Sequence, residues 1–242
     1  MYRGENYPDM SEYVVHFTKD NGLRPPLPDD AGDRARFYRE IQGDRKSPYW
    51  NMLDILYEGQ LKPGTERAFG SAKDLAWLGY MRHAVCFSEV PFTYLRRIAN
   101  RYSQYGIAFK QKFLAARHGA RVWYLDVGST HEAVWLDLLA RHEARRDPND
   151  GFWGLATCVD RVGYHGRTRY EFEWEREWRI PGPVGLIFRP DDVEFLFLPG
   201  ELHDAARAFF EDAVAHNSGP GYFCPYIDAL WAADRIEAAL AP

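Results

Sequence analysis

The chain is poor in cysteine: Cys86, Cys158 and Cys224 stand far apart among 242 residues, an odd count with no Cys-x-x-Cys pair. That spacing offers no disulfide framework, argues against a cysteine-based zinc site and points to a reducing compartment. Long apolar runs are missing as well. No stretch approaches the roughly 20 residues that a membrane-spanning helix needs, and the opening Met-Tyr-Arg-Gly-Glu-Asn-Tyr-Pro has no apolar signal core. A soluble, cytoplasmic protein with no membrane partner is therefore expected. Neither sign of charge dominates, with 30 Lys+Arg against 35 Asp+Glu and a formal net charge of -5, so a dedicated high-affinity DNA coat is disfavoured.

Familiar signatures are missing too. No Gly-rich dinucleotide fingerprint follows a strand, no P-loop is present, and no nucleophile elbow surrounds a serine. His131-Glu132 and His142-Glu143 each lack the second histidine, four residues on, that the helical zinc motif requires. Hydride transfer, kinase and zinc-hydrolase chemistry lose their usual support, and no repeat or low-complexity segment suggests an array.

Aromatic side chains, by contrast, are abundant. Eight Trp, 15 Tyr and 15 Phe supply a large core and the flat walls that pockets for planar ligands use. The alternation in 13–18 predicts a strand with Tyr13, Val15 and Phe17 on one face and Val14, His16 and Thr18 on the other. The polar, proline-rich stretch 19–46 reads as an insertion or lid, with a short helix near 33–41. Ser47-Pro48 opens a helix that buries Trp50, Leu53, Leu56 and Tyr57 and stops before Gly59. Strands are expected at 84–90 (closed by Pro91), 106–109, 122–127, 170–180, 184–188 and 193–198. Helices are expected over 94–101 and over 131–146, the latter with Val134, Trp135, Leu138 and Leu139 inward. A C-terminal helical portion, 200–242, carries the stripe Leu202, Ala205, Ala206, Phe209, Phe210, Ala213 and Val214, then Ile227, Leu230, Trp231 and Leu240. Strands and helices do not alternate regularly. The expected fold is thus a single α+β domain over 1–242, its sheet mainly antiparallel or split and flanked by helices.

Four constellations carry candidate chemistry. His16 and Thr18 share a strand face about 7 Å apart and can both donate and accept hydrogen bonds; a core histidine held by a carbonyl is the plainer explanation. Cys86, Phe87, Ser88 and Glu89 alternate on another strand, with Ser88 on the face of Cys86, and an ordinary edge strand would look the same. Glu171, Glu173, Glu175 and Glu177 alternate with Phe172, Trp174, Arg176 and Trp178. A continuous strand would put all four carboxylates on one side, where they repel unless water or cations answer them. Arg179 falls on the face of Glu177 and could orient it as a bidentate partner. Finally, Arg96, Arg97, Arg101, Lys110, Lys112, Arg117 and Arg121 fall within 94–121, a stretch with no Asp or Glu. Interleaved with Tyr102, Tyr105, Phe109 and Phe113, this block suits phosphates or nucleobases, or else forms a solvated face paired with acidic neighbours.

Read in order, His16-Phe17-Thr18, the Ile55-Leu56-Tyr57-Glu58-Gly59 helix end with Leu61-Lys62-Pro63, Cys86-Phe87-Ser88-Glu89, Tyr105-Gly106-Ile107-Ala108-Phe109 and Trp174-Glu175-Arg176-Glu177-Trp178-Arg179 resemble the bacterial DUF2971 and AbiGi abortive-infection proteins. That group is similar, more distantly, to ADP-ribosyltransferases of the DarT and PARP-like kind. The resemblance implies an ADP-ribosyltransferase-like fold and a phage-defence or toxin–antitoxin protein that breaks the nicotinamide–ribose bond of NAD+. NAD+ would be substrate, no metal would be needed, and a nucleic acid or protein would accept the ADP-ribose.

Under that resemblance His16 would hydrogen-bond the adenosine ribose, and Ser88 or an adjacent aromatic would hold the nicotinamide. Thr18, Phe87, Tyr105 and Arg179 join the NAD+-binding set, with Tyr80, Phe87 and Tyr105 as alternative stacking residues. Glu177 would take the catalytic glutamate position, and Glu175, making a Glu-x-Glu with it, would position the acceptor. Arg96, Arg97, Arg101, Lys110 and Lys112 are the candidates for a phosphate or nucleic-acid contact. Two other readings stand beside this one. One is a non-catalytic antitoxin or sensor that binds nucleic acid or a cognate toxin or antitoxin; the other is a metal-dependent nuclease built on the glutamate strand.

Overall fold

Proline in the first turn of a helix sacrifices no hydrogen bond, and in the computed structural model the first described helix begins at Pro48. The structure describes residues 11–18, 48–66, 76–89, 91–165, 168–171 and 173–241. The expected lid over 19–46, its short helix and Ser47 lie outside the described residues. Along the chain come β1 (Tyr13–Phe17), α1 (Pro48–Glu58), β2 (Gln60–Leu61), β3 (Thr65–Glu66), β4 (His83–Ser88), α2 (Leu95–Arg101), β5 (Gly106–Lys110) and α3 (Gln111–Ala115). They are followed by β6 (Ala120–Arg121), β7 (Trp123–Asp126), α4 (Thr130–Arg145), α5 (Phe152–Ala156), β8 (Val159–His165), β9 (Thr168–Tyr170) and β10 (Glu177–Pro181). Last come β11 (Leu186–Ile187), β12 (Phe195–Phe197), α6 (His203–Ala215), β13 (Tyr226–Ile227) and α7 (Ala233–Leu240). The class is α+β, as expected. Its sheets are mixed, because β12 pairs with β13 and β7 with β8 in parallel while the other pairings named below are antiparallel.

The chain divides into two compact units. The first takes the chain up to Gln60, then Glu89–Gln111 and Phe188 onward. Its strands run in the order β13-β12-β5-β1, with His16 opposite Ile107 and Leu196 opposite Ile107 on the other side. Consecutive apolar residues in β5 and β12 (Ile107, Ala108, Phe109, Phe195, Leu196, Phe197) are all buried, as a strand covered on both faces demands. Trp50, Leu53 and Leu56 of α1 are buried, but Tyr57 is half outside. Ala206, Phe209, Phe210 and Ala213 bury the apolar stripe of α6, whereas Val214 is exposed. The expected last helix starts later than the apolar pattern suggested. Ile227 belongs to the parallel strand β13, and Ile236 is the buried residue of α7. The Tyr222 hydroxyl donates to the Leu56 carbonyl at 2.6 Å, tying α1 to the segment before β13.

The second unit takes Leu61–Ser88 and Lys112–Ile187. In it β10 lies between β4 and β6, antiparallel to both, with Glu177 opposite Ser88, Arg179 opposite Cys86 and Trp178 opposite Arg121. A separate sheet runs β7-β8-β9. Parallel strands need a crossover, and α4 with α5 supplies it between β7 and β8. Ser129 caps α4 by accepting the Glu132 N–H at 3.1 Å, and Arg146 at φ 49° ends it. Trp135 and Leu139 pack with Leu125, Trp153, Ala156 and Val159. Val134 and Leu138 were expected inward and are exposed, because this helix covers its core with a narrower stripe than its apolar content suggested.

The long strand expected over 170–180 is broken. Only β9 and β10 are strand, and between them Glu173–Glu175 forms a 3-10 turn in which the Arg176 N–H returns to the Glu173 carbonyl at 3.1 Å. Arg176 itself has φ 44°, a conformation no strand residue adopts. The four glutamates therefore do not share a face. Glu171 and Glu173 are exposed, whereas Glu175 and Glu177 are buried. Repulsion among four like charges on one pleated face is relieved by this break. Phe172 lies outside the described residues.

The turn from α4 into α5 sets where the chain enters β8. Asp150 accepts the Phe152 N–H at 2.9 Å and pairs with His142 Nδ1 at 2.6 Å, while the His142 ring lies flat on Phe152 with centroids 3.9 Å apart. The Phe152 N–H first, and then His142, hold the Asp150 carboxyl below its ordinary range. A carboxyl depressed in the folded state stabilises the fold above its unfolded pKa of about 4, and that contribution is lost as pH falls through the folded value. Acid titration of unfolding midpoints should thus show stability falling below pH of about 4, with a shallower fall in Asp150→Asn.

Candidate active site

Arg179 is 0% exposed. A guanidinium cannot shed its proton in water-poor surroundings, so such a side chain persists only where its N–H groups find acceptors and its charge finds a counter-charge. Strand alternation on β10 puts Arg179 beside Glu177, two residues away on the same face, and turns Trp178 to the other face, where the Arg121 guanidinium lies 5.2 Å from its ring. Arg179 Nε donates to Glu177 Oε1 at 3.0 Å and Nη2 to Glu177 Oε2 at 2.8 Å, the bidentate pair that the spacing suggested. The remaining bonds come from elsewhere in the unit. Nη1 donates to the Thr157 carbonyl at 2.8 Å, and Nη2 also donates to Asp160 Oδ2 at 2.6 Å.

Burial alone would lower the Arg179 pKa, but the hydrogen bonds and charge of Glu177, with Cys86 and Asp160 behind them, hold it well above the ordinary arginine value. The ion is permanent. Tyr124, on β7, completes the group by donating its hydroxyl to Glu177 Oε2 at 3.4 Å. Burial, then the Glu177 charge, push that phenol far above its ordinary range, so it stays protonated and acts as a donor. Glu175 is buried close enough for its charge to act on the same phenol. Two carboxylates, Glu177 and Asp160, thus bear directly on one guanidinium, and Glu177 and Glu175 both act on the Tyr124 phenol.

Ser88, the cross-strand neighbour of Glu177, is buried, and Cys86 opposite Arg179 is half-buried. Phe87 is turned to the opposite face and enclosed, opposite Trp178. The other candidates belong to the first unit. His16 is half-buried in the middle of β1. Thr18 is buried, its hydroxyl donating to the Pro48 carbonyl at 2.8 Å, a bond that fastens the end of β1 to the start of α1. The Tyr105 ring is enclosed 5.5 Å from that of Tyr49.

The basic stretch is shared between the units. Arg96 Nη2 donates to the Leu230 carbonyl at 3.2 Å and Lys110 pairs with Glu194 at 3.3 Å in the first unit. Arg97, also on α2, is exposed. Lys112 on α3 is exposed in the second unit, where the Arg117 guanidinium lies 3.6 Å from the Phe113 ring. Arg101 ends α2, and its side chain, like that of Tyr80, lies outside the described set.

Sequence reasoning missed Asp160, Tyr124 and the Thr157 carbonyl. The signal available for the first was Val159-Asp160-Arg161-Val162, a charged pair between two valines at the head of a strand. Among the described residues no group of three or more His, Cys, Asp or Glu side chains is arranged to hold a metal ion. No described helix is long and apolar enough to cross a membrane. No protein-family model, curated protein or solved structure matches this chain.

Removing one member of a buried ion pair strands the other without a partner, which costs about 3–5 kcal/mol, more than the pair itself contributes. Arg179→Met should destabilise the protein by about that amount in urea unfolding. The double variant with Glu177→Gln should lose less than the sum of the two single losses, because the stranded charge is gone.

Proposed function

We propose that the protein is an ADP-ribosyltransferase-like enzyme that uses Glu177 to cleave the nicotinamide–ribose bond of NAD+. The single observation that carries this reading is a buried carboxylate held by a permanent guanidinium through both oxygens, with a second carboxylate, Asp160, sharing that guanidinium. Expulsion of nicotinamide as a neutral molecule leaves a ribosyl cation with oxocarbenium character. A carboxylate already fixed in place stabilises that developing charge without reorganising, and it can accept a hydrogen bond from the ribose 2'-hydroxyl. Arg179 keeps the Glu177 side chain in one rotamer, Tyr124 adds a hydrogen bond to the same Oε2 that Arg179 Nη2 binds, and Glu175 supplies the second carboxylate of the Glu-x-Glu pair for an accepting nucleophile. The order of short motifs and the family likeness it carries support the same chemistry, in the setting of phage defence or a toxin–antitoxin pair. The accepting group is a nucleic acid or a protein.

Chromatography of nicotinamide released from NAD+ tests the reading. Glu177→Gln should reduce turnover by about 100-fold or more while circular dichroism stays native. Glu175→Gln leaves the Arg179 pair intact and should lower transfer to an acceptor more than hydrolysis of NAD+. Wild-type protein that releases no nicotinamide, or a Glu177→Gln variant that is folded and fully active, would sink the assignment.

A further inference from the structure

Glu177 and Arg179 are two residues apart on one strand, so their bidentate pair by itself fixes them only to each other. Whatever locates the pair in space must come from another element. Tyr124 of β7 does so on the Glu177 side, and two contacts do so on the Arg179 side: the Thr157 carbonyl on Nη1, from the connection of α5 to β8, and the Asp160 carboxylate on Nη2, from β8 itself. Among the described residues the Asp160 contact is the shortest of the four made by the guanidinium, at 2.6 Å, and the only one besides Glu177 that carries charge. Asp160 is itself anchored, since its Oδ1 accepts the Arg161 N–H at 2.9 Å, which stops the carboxylate rotating away. Its side chain is 38% exposed while that of Arg179 is 0%, so a cation with no route to water meets its second counter-charge at the edge of solvent.

We infer that Asp160 is a positioning residue for Glu177, acting through Arg179, and that it sets how much of the Glu177 charge remains available to a ligand. A guanidinium shared by two carboxylates neutralises neither completely. Without Asp160 more of the arginine charge falls on Glu177, and the pair loses its charged anchor outside β10 together with part of the Glu177 negative potential. Its loss therefore acts on the charged transition state more than on ground-state binding, and the expected signature is a fall in kcat with little change in KM. Asp160→Glu keeps the charge and, with one more methylene, can still reach Nη2.

The inference rests on the NAD+ reading for its kinetic half only, and two measurements on the full chain separate the two. The first compares kcat and KM for nicotinamide release in wild type, Asp160→Asn and Asp160→Glu. A fall of about 10–100-fold in kcat for Asp160→Asn, with KM within about threefold and partial recovery in Asp160→Glu, is expected. Unchanged kcat in folded Asp160→Asn overturns the inference. The second follows exchange of the Arg179 guanidinium protons with solvent by nitrogen-edited NMR. Asp160→Asn should lose Nη2 protection that Asp160→Glu restores, at unchanged dispersion of the backbone amides. Should wild type release no nicotinamide, the NAD+ reading fails and the exchange result alone decides the role of Asp160: protection that survives Asp160→Asn refutes it.

Discussion

A fully buried guanidinium organises the second unit. Arg179 brings a charge that burial opposes, and every element that touches it is constrained by the need to answer that charge. β10 must keep its register with β4 so that Glu177 stays beside it, the α5–β8 connection must present the Thr157 carbonyl and β8 must present Asp160, and β7 must bring Tyr124 to Glu177. The α4–α5 crossover fits the same requirement. Its His142–Asp150–Phe152 staple and the core around Trp135 and Trp153 decide where the chain re-enters as β8. Such a group contributes little net stability relative to an apolar replacement of similar shape. What it contributes is a single arrangement of charges, and a single arrangement is what electrostatic catalysis needs.

Much of this was legible in the sequence, and the parts that were share a cause. β1, α1, β4, α2, β5 and α6 lie close to where apolar periodicity and proline placement put them, because burial of those side chains decides their structure and burial writes a period. The pairing of Glu177 with Arg179 could be read for the same reason, as a two-residue spacing on a strand is a statement about one face. Where a different interaction decided, the pattern misled. Over 170–180 the alternation of glutamate with bulky residues has the period of a strand, yet like-charge repulsion and the turn at Arg176 broke it. Ile227 counted as a helix residue when only apolar content was considered, and strand pairing with Phe197 claimed it. Asp160 and Tyr124 were invisible for a further reason. Their importance comes from meeting Glu177 and Arg179 across long loops of chain, and no local spacing encodes that meeting.

The broken strand also changes what the glutamates can do. Four equivalent carboxylates on one face would have been a solvated surface, able to bind cations loosely and to orient none. Splitting them sends Glu171 and Glu173 to water and buries Glu175 and Glu177 within reach of one tyrosine. The cost of placing the Glu177 charge where water is scarce is offset by Arg179, which binds both of its oxygens. The sharing of Arg179 with Asp160 separates this cluster from a simple two-membered ion pair. In a two-membered pair each charge can neutralise the other fully, whereas Glu177 shares its cation with Asp160, so part of its negative potential persists on the face of β10 that carries Arg179.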